Sequence, residues 1–148
     1  PIAAALVKDE QHFLGQLHIV TAEQNVIIPV PVPQERRKLL KRMSLIKRLP
    51  SMSEADFRRE WQHHGELVRQ MEGVRAYRQN VIVVRERIKG QPCAYEELPI
   101  DGIVEMWFED AATLEAAFRS EAGSRTMAHA KSFLSEITAF VVAERQIL

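Results

Sequence analysis

From residue 43 to its end, the sequence predicts an α+β domain with the order strand, helix, strand, strand, helix, strand. Two observations predict it: apolar runs rich in Ile and Val mark the strands, and apolar residues at steps of three and four mark the helices. This order is the split pattern of a ferredoxin-like domain, with helices on one face of an antiparallel sheet. Because the other face has no helix layer, we expect another subunit to cover it.

The first helix of the domain has a defined start, a defined end and one apolar face. Ser53 followed by Asp56 is a variant of the capping box, in which a hydroxyl and a carboxylate satisfy free amides at a helix start. Gly73 supplies the left-handed residue that commonly ends a helix. The steps four, three, four and three place five side chains on one face: Phe57, Trp61, His64, Val68 and Met71. One imidazole therefore lies within an apolar stripe.

The remaining elements of the domain follow from apolar runs and from the residues that interrupt them. Strands are predicted at residues 43–49, 74–88, 103–108 and 139–147. Helical segments are predicted at residues 111–120 and 125–137, separated by Gly123. Residues 89–98 form a polar loop that carries Cys93, the only cysteine.

Residues 1–34 are predicted to form an N-terminal segment ahead of a domain at residues 35–148. Residues 1–17 have a helical pattern, and residues 18–30 are rich in Ile and Val and indicate a strand. Prolines at 29, 31 and 33 favour extended polyproline geometry, so this stretch is a linker or an edge segment. The basic residues at 36–42 are interpreted as a solvated turn, with an anion-binding patch as the alternative.

The N-terminal segment also resembles the end of the chain. FLGQL at residues 13–17 matches FLSEI at 133–137, and AEQNVI at 22–27 matches AERQIL at 143–148 once one residue is dropped. We interpret the segment as the remnant of an upstream copy of the same module, with chance similarity as the alternative. If the repeat is genuine, its strand should pair with a sheet in this chain or in a partner.

Composition limits the class of protein. A chain of 148 residues with 46% hydrophobic and 27% charged residues is typical of one globular domain with a tail. No apolar run approaches the roughly 20 residues of a membrane helix. Because 20 basic and 20 acidic residues cancel, we expect no nucleic-acid partner. A single cysteine excludes an internal disulfide and a cysteine-rich zinc site, and it fits a reducing, cytoplasmic location.

Four stretches of the sequence resemble the EthD-like family, and within it the methylmuconolactone methylisomerase branch. They are SEADFRREWQHHGELV, MEGVRAY, IDGIVEMWFED and FLSEITAFVVAE. The resemblance implies a dimeric α+β barrel, in which the sheets of two small subunits pair back to back and each subunit has a pocket between sheet and helices. It also implies pocket roles for His64 and Tyr77. That branch has a cysteine where this chain has Met106, and a thioether cannot replace a thiolate.

The candidate site therefore has two catalytic residues. His64 is a candidate general acid or base, with a core histidine satisfied by a neighbour as the alternative. Tyr77 is a candidate hydrogen-bond donor to a carbonyl or lactone oxygen, unless it only reaches the sheet edge. The candidate substrate-binding residues are Trp61, Glu105, Met106 and Trp107.

Some side chains at or near this site carry a second interpretation. Glu105 is either the partner of an arginine or a buried carboxylate with a raised pKa. His63 projects about 100° away from His64, which argues against a shared metal. His12, His18 and His129 are interpreted as surface or packing residues.

The expected function is isomerisation, or a lyase-like reaction, of a small carbonyl or lactone compound by proton transfer, without cofactor or metal. Whether the protein is an enzyme is left open by the residues alone. The alternative is a ligand-binding or structural module of the same fold. A third interpretation, a haem-binding relative, requires an axial histidine that faces an enlarged pocket. In each case we expect a homodimer.

Overall fold

Six strands form a single sheet in the computed structural model, which describes residues 2–10, 12, 14–88 and 90–145. The strands are β1 (Ile19–Ile28), β2 (Leu40–Arg48), β3 (Ala76–Ile88), β4 (Gln91–Pro92), β5 (Gly102–Phe108) and β6 (Leu134–Val142). The helices are α1 (Ile2–Glu10), α2 (Pro33–Arg36), α3 (Glu54–Val68), α4 (Ala111–Arg119) and α5 (Glu121–Phe133), with a 3-10 turn at Tyr95–Glu97. No described helix is both long enough and apolar enough to cross a membrane.

The sheet confirms the predicted fold class. Its strand order is β1-β3-β5-β2-β6, all pairs are antiparallel, and β4 forms a short hairpin with β3. From β2 onward, this is the order of a ferredoxin-like domain with one strand, β1, added beside β3. Helices α3 and α5 pack against each other over one face of the sheet, and the core lies between these two layers.

Helix α3 begins at its predicted cap but ends at Val68, five residues before Gly73. Ser53 Oγ accepts a hydrogen bond from the amide of Asp56 at 3.1 Å and donates one to Asp56 Oδ2 at 2.7 Å. After the helix, Gly73 has a φ of +88°, which L side chains rarely adopt. The five residues of the predicted stripe are all buried.

The C-terminal elements differ from the prediction in their boundaries. The two helices are divided at Ser120, whose hydroxyl accepts from the amide of Gly123 at 3.0 Å, so Gly123 lies in the first turn of α5. Helix α5 ends at Phe133, and β6 begins at Leu134 rather than residue 139. Leu134 and Ile137, predicted as helix, instead pair with Arg48 and Ile46 of β2. Tertiary strand pairing outweighs the local helical pattern here.

The N-terminal strand pairs within this chain. Strand β1 lies along the free edge of β3, from the pair Ile19 and Glu86 to the pair Ile28 and Tyr77. Helix α1 ends at Glu10, earlier than predicted. The two halves of the sequence repeat are not placed alike: residues 14–17 precede β1 without regular structure, whereas residues 134–137 begin β6. Residues 1, 11, 13, 89 and 146–148 lie outside the described residues.

The outer face of the sheet carries both an ion cluster and exposed apolar side chains. Glu105 and Arg78 are paired across β5 and β3, and they lie opposite to the helices. Val26 pairs with Arg78, and Phe140 with Met43, so both belong to this face, where Val26 is 51% exposed and Phe140 is 44% exposed. Helices thus cover one face only, as the strand pattern predicts.

Candidate active site

A mostly apolar cavity lies between the sheet and the helices, and both His64 and Tyr77 line it. Trp61 and Met106 form part of the same wall. The centre of a water molecule can occupy about 40 Å³ of the cavity, which is room for a few water molecules. A larger ligand requires movement of flexible lining side chains such as Met127. The cavity therefore suits a small ligand with few polar groups.

His64 is held in this wall by a second histidine. Its Nδ1 atom lies 3.2 Å from Nδ1 of His129, and the two rings are stacked with centroids 5.4 Å apart. Phe133 packs against both rings. Burial, followed by the neighbouring imidazoles of His129 and His63, lowers the pKa of His64 to about 4. At neutral pH, His64 is therefore an uncharged imidazole.

The contact between the two histidines determines their tautomers. Glu60 Oε2 lies 3.5 Å from Nε2 of His129 and favours a proton on that nitrogen. When Nε2 of His129 carries the proton of that ring, Nδ1 of His129 accepts the hydrogen bond that Nδ1 of His64 donates. The remaining nitrogen of His64, Nε2, keeps its lone pair. This is the arrangement that a general base requires.

Tyr77 is fully buried, and its hydroxyl oxygen accepts two hydrogen bonds. The donors are Nε1 of Trp61 and Nε2 of Gln79, each at 3.2 Å. Burial raises the pKa of Tyr77 to about 12, although both hydrogen bonds lower it. The phenol therefore keeps its proton, and no described residue accepts that proton in a hydrogen bond. A ligand oxygen in the cavity would supply the missing acceptor.

Strand β2 adds two polar groups: Ser44, which the sequence analysis did not select, and Arg42, which it interpreted as part of a solvated basic turn. Ser44 is 0% exposed, and its Oγ atom has no hydrogen-bond partner among the described residues. Arg42 lines the same cavity with its guanidinium 4.9 Å from the ring centroid of Phe118. Burial lowers the pKa of Arg42, and no described carboxylate pairs with it. The cavity thus offers a hydroxyl and a cation to an anionic ligand.

The structure separates two expected substrate-binding residues from this cavity. Glu105 and Trp107 lie on the outer face of the sheet, with the ammonium group of Lys41 4.9 Å from the Trp107 ring centroid. Glu105 is bonded to Lys41 and Arg78, each at 2.6 Å, and to Asn80 at 3.0 Å. Although burial opposes the shift, these hydrogen bonds together lower the pKa of Glu105 to about 2. The arginine-partner interpretation is thus confirmed, and the raised-pKa interpretation is wrong.

Strand alternation explains which side chains face the cavity and which face the outer side of the sheet. Met106 faces the cavity, so its neighbours Glu105 and Trp107 face away from it. By the same alternation, Arg42 and Ser44 share a face with Ile46, another cavity residue. His129 was interpreted as surface or packing, but it contacts His64 directly. Its position four residues before Phe133 places it on the buried face of α5, a signal that the sequence contained.

The fold and this cavity define a class: a ferredoxin-like α+β protein with a buried imidazole and a phenol between sheet and helices. Residues 49–136 match the EthD domain, and the chain belongs to the EthD family. No curated protein matches it.

Solved structures with low sequence identity have the same fold. An ethyl tert-butyl ether D (EthD) family protein of Bacillus halodurans C-125 is 20% identical, with 72% of this chain and 99% of that chain covered and a TM-score of 0.57. A dimeric ferredoxin-like protein of unknown function from Thermobifida fusca is 10% identical, with coverage of 72% and 91% and a TM-score of 0.54. An anthrone oxidase-like protein is 9% identical, with coverage of 95% and 60% and a TM-score of 0.63.

Proposed function

We propose that this protein catalyses proton transfer on a small carbonyl or lactone compound without a cofactor, as an isomerase- or lyase-like enzyme. One observation supports the proposal above all others: an uncharged imidazole and a protonated phenol line the same apolar cavity. A base and a hydrogen-bond donor are what the removal of a proton next to a carbonyl requires.

His64 is the proposed base. Its Nε2 atom takes a proton from the carbon beside the carbonyl and returns it at another position of the same ligand. A base with a pKa near 4 is weak at rest, but negative charge that develops on the ligand favours the protonated imidazole and strengthens the base during the transfer. Tyr77 donates its free hydrogen bond to the carbonyl oxygen and stabilises the oxyanion as it forms.

Arg42 and Ser44 indicate the kind of ligand. A guanidinium with no carboxylate partner, at the wall of an apolar cavity, favours an anionic group on the ligand. The unpartnered hydroxyl of Ser44 gains a hydrogen bond when such a group binds. A small lactone or ketone that carries a carboxylate therefore fits the cavity better than a neutral compound.

The chemistry is methylisomerase-like in its proton transfers but does not use a thiol at residue 106. Met106 lines the cavity where the methylisomerase branch has a cysteine, and a thioether neither attacks as a thiolate nor donates a proton. In the proposed cycle His64 moves the proton and Tyr77 donates a hydrogen bond, and neither step uses a thiol.

We also propose that a second copy of the chain covers the outer face of the sheet. Val26 and Phe140 remain exposed there beside a buried ion cluster. The ferredoxin-like proteins of Thermobifida fusca and Bacteroides fragilis are described as dimeric. Light scattering on the purified protein measures this directly, and a monomeric mass at micromolar concentration contradicts it.

The decisive experiment follows hydrogen–deuterium exchange next to the carbonyl of five-membered lactones, with and without a carboxylate, by NMR in D₂O. The His64→Ala variant should exchange about 10²-fold more slowly than the wild type. Gln62→Ala is the matched control, because Gln62 is an exposed residue of the same helix that does not line the cavity. Equal rates for wild type and His64→Ala contradict the catalytic role.

A binding module without catalysis is the alternative, and the satisfied contacts of Tyr77 to Trp61 and Gln79 favour it. The Trp107→Phe variant isolates the fluorescence of Trp61, which forms part of the cavity wall. A ligand that changes this fluorescence but shows no exchange above the uncatalysed rate identifies the protein as a binding module.

A further inference from the structure

Three side chains of different chemistry lie close together outside the candidate active site. His18 immediately precedes β1, Cys93 follows β4, and Glu97 ends the 3-10 turn. Their imidazole, thiol and carboxylate ligand atoms all lie within 4.8 Å of one another. None of the three lines the cavity of His64, so the cluster is separate from the proposed active site.

The sheet itself brings these residues together. Glu86 of β3 pairs with Ile19 of β1 and with Pro92 of β4. His18 precedes Ile19, and Cys93 follows Pro92. These two residues therefore lie on either side of β3. The amide of Cys93 donates to the Arg85 carbonyl at 3.0 Å and holds the loop against β3. The cluster thus depends on β1, which precedes the part of the chain that matches the EthD domain.

The 3-10 turn aims Glu97 at the other two residues. The amide of Glu97 donates to the Ala94 carbonyl at 3.1 Å, and Oε1 of Glu97 accepts from the Ala94 amide at 3.3 Å. Arg87 donates to both carboxylate oxygens, at 2.6 and 2.7 Å. An outer hydrogen bond of this kind orients a carboxylate and leaves further lone pairs for a cation.

The charges suit a divalent ion. The Glu97 carboxylate is ion-paired with Arg87, whose Nε lies 2.6 Å from Oε2 of Glu97. A thiolate at Cys93 and the ionised Glu97 supply two negative charges to a dication, and Arg87 offsets one of them.

We propose that His18, Cys93 and Glu97 bind a zinc ion, with water as the fourth ligand. Imidazole, thiolate and carboxylate are the three ligand types that zinc takes in proteins, in tetrahedral geometry. Bond lengths of about 2.0–2.3 Å separate tetrahedral ligands by about 3.3–3.8 Å, so closure requires side-chain shifts of about 1 Å. Such an ion would attach the N-terminal segment to the domain.

Cobalt titration of the full chain under reducing conditions tests the site. Co²⁺ bound here should give visible ligand-field bands and a thiolate charge-transfer band in the near ultraviolet, at one equivalent, and Zn²⁺ should displace it. Cys93→Ser should abolish the charge-transfer band. His18→Ala and Glu97→Gln should each weaken binding by at least about tenfold. His12→Ala, an exposed histidine of the same segment, is the matched control and should bind as the wild type does.

A second measurement separates a folding defect from loss of a ligand. Circular dichroism of the metal-free variants should match the metal-free wild type, because all three side chains are at least partly exposed. One equivalent of Zn²⁺ should slow proteolytic cleavage within residues 12–20 of the wild type but not of His18→Ala. The absence of a thiolate band in the wild type, or His18→Ala binding with unchanged affinity, overturns the proposal.

Discussion

The Nδ1 atoms of His64 and His129 lie 3.2 Å apart, so one of them donates a hydrogen bond to the other and the tautomers of the two imidazoles are linked. His129 is 18% exposed at its side chain and reaches Glu60, whereas His64 is 9% exposed and faces the cavity. The pair therefore links the surface of α3 to the cavity. In the proposed mechanism, His129 acts through His64, as a positioning residue.

Replacing His129 by glutamine should lower kcat by between about tenfold and 10²-fold while KM changes little, because His64 loses the acceptor that holds its ring and tautomer. Steady-state kinetics, with the lactone for which the wild type shows exchange, measures kcat and KM separately. Lys131→Gln is the control, since Lys131 is an exposed residue of the same helix. A proportional rise in KM at unchanged kcat assigns His129 to ligand binding instead.

Acidification should destabilise the fold through His64. Its folded-state pKa is about 4 against a usual 6.5, so below pH 6.5 the unfolded chain takes up the proton first. Stability falls as the pH drops from about 6.5 to about 4, by at most about 3 kcal/mol, and the His64 contribution is constant above pH 6.5. Urea unfolding at several pH values measures it. In the His64→Gln variant, the free energy of unfolding should fall less between pH 6.5 and pH 4. The same pH dependence in the variant and the wild type contradicts the assignment of this effect to His64.

Tyr77→Phe should cost stability as well as activity. The change removes the acceptor of the Trp61 indole N–H, and an unpaired buried donor costs about 1–3 kcal/mol. Exchange at the lactone should also slow, because the oxyanion loses its donor. Tyr95→Phe is the matched control: the hydroxyl of Tyr95 donates to Asp101 at 2.8 Å, outside the cavity. Equal exchange rates in both variants remove Tyr77 from the mechanism.

Glu105→Gln should destabilise the fold without changing ligand affinity. The carboxylate neutralises Lys41 and Arg78 on the outer face, and breaking a buried pair costs about 3 kcal/mol. Glu115→Gln, which breaks an exposed helix pair with Arg119, should cost no more than about 0.5 kcal/mol. Chemical denaturation gives both values. A change in ligand Kd for Glu105→Gln contradicts the separation of the two faces.

Arg42→Gln should discriminate between ligands. Loss of the guanidinium should weaken binding of carboxylate-bearing lactones by about tenfold or more and leave neutral analogues unaffected, because only the charged group interacts with the cation. Fluorescence titration in the Trp107→Phe background measures both affinities. Arg75→Gln, an exposed arginine paired with Glu109, controls for a general charge effect. If the variant loses equal affinity for charged and neutral lactones, Arg42 contributes to packing rather than to recognition of the carboxylate.

Features that depend on neighbouring residues, such as caps, turns and helical periodicity, were predicted from the sequence. Ser53 sets the start of α3 through a side-chain cap, and Gly73 takes a positive φ in the turn after the helix; both features depend on a few adjacent residues. The stripe from Phe57 to Met71 was predictable because helical periodicity decides which side chains share a face. The EthD resemblance, carried by short motifs, is confirmed by the match at residues 49–136.

Boundaries set by distant residues were not predictable in this way. Leu134 and Ile137 fit a helix by spacing, but β2 pairs with them and turns the segment into a strand. Gly123 was expected to divide the helices, whereas the division falls at Ser120, where a hydroxyl accepts from the following turn. In both places the competing structures differ little in local preference, so contacts elsewhere decide.

The sequence by itself determined the ferredoxin-like order and the position of His64 within an apolar helical stripe, because periodicity and caps are properties of neighbouring residues. Only the tertiary structure decided which side chains surround His64. It placed His129, Arg42 and Ser44 at the cavity and Glu105 and Trp107 across the sheet. It also brought His18 to Cys93 and Glu97. The physical reason is that strand register and helix docking join residues far apart in the chain, and no local preference encodes those distances.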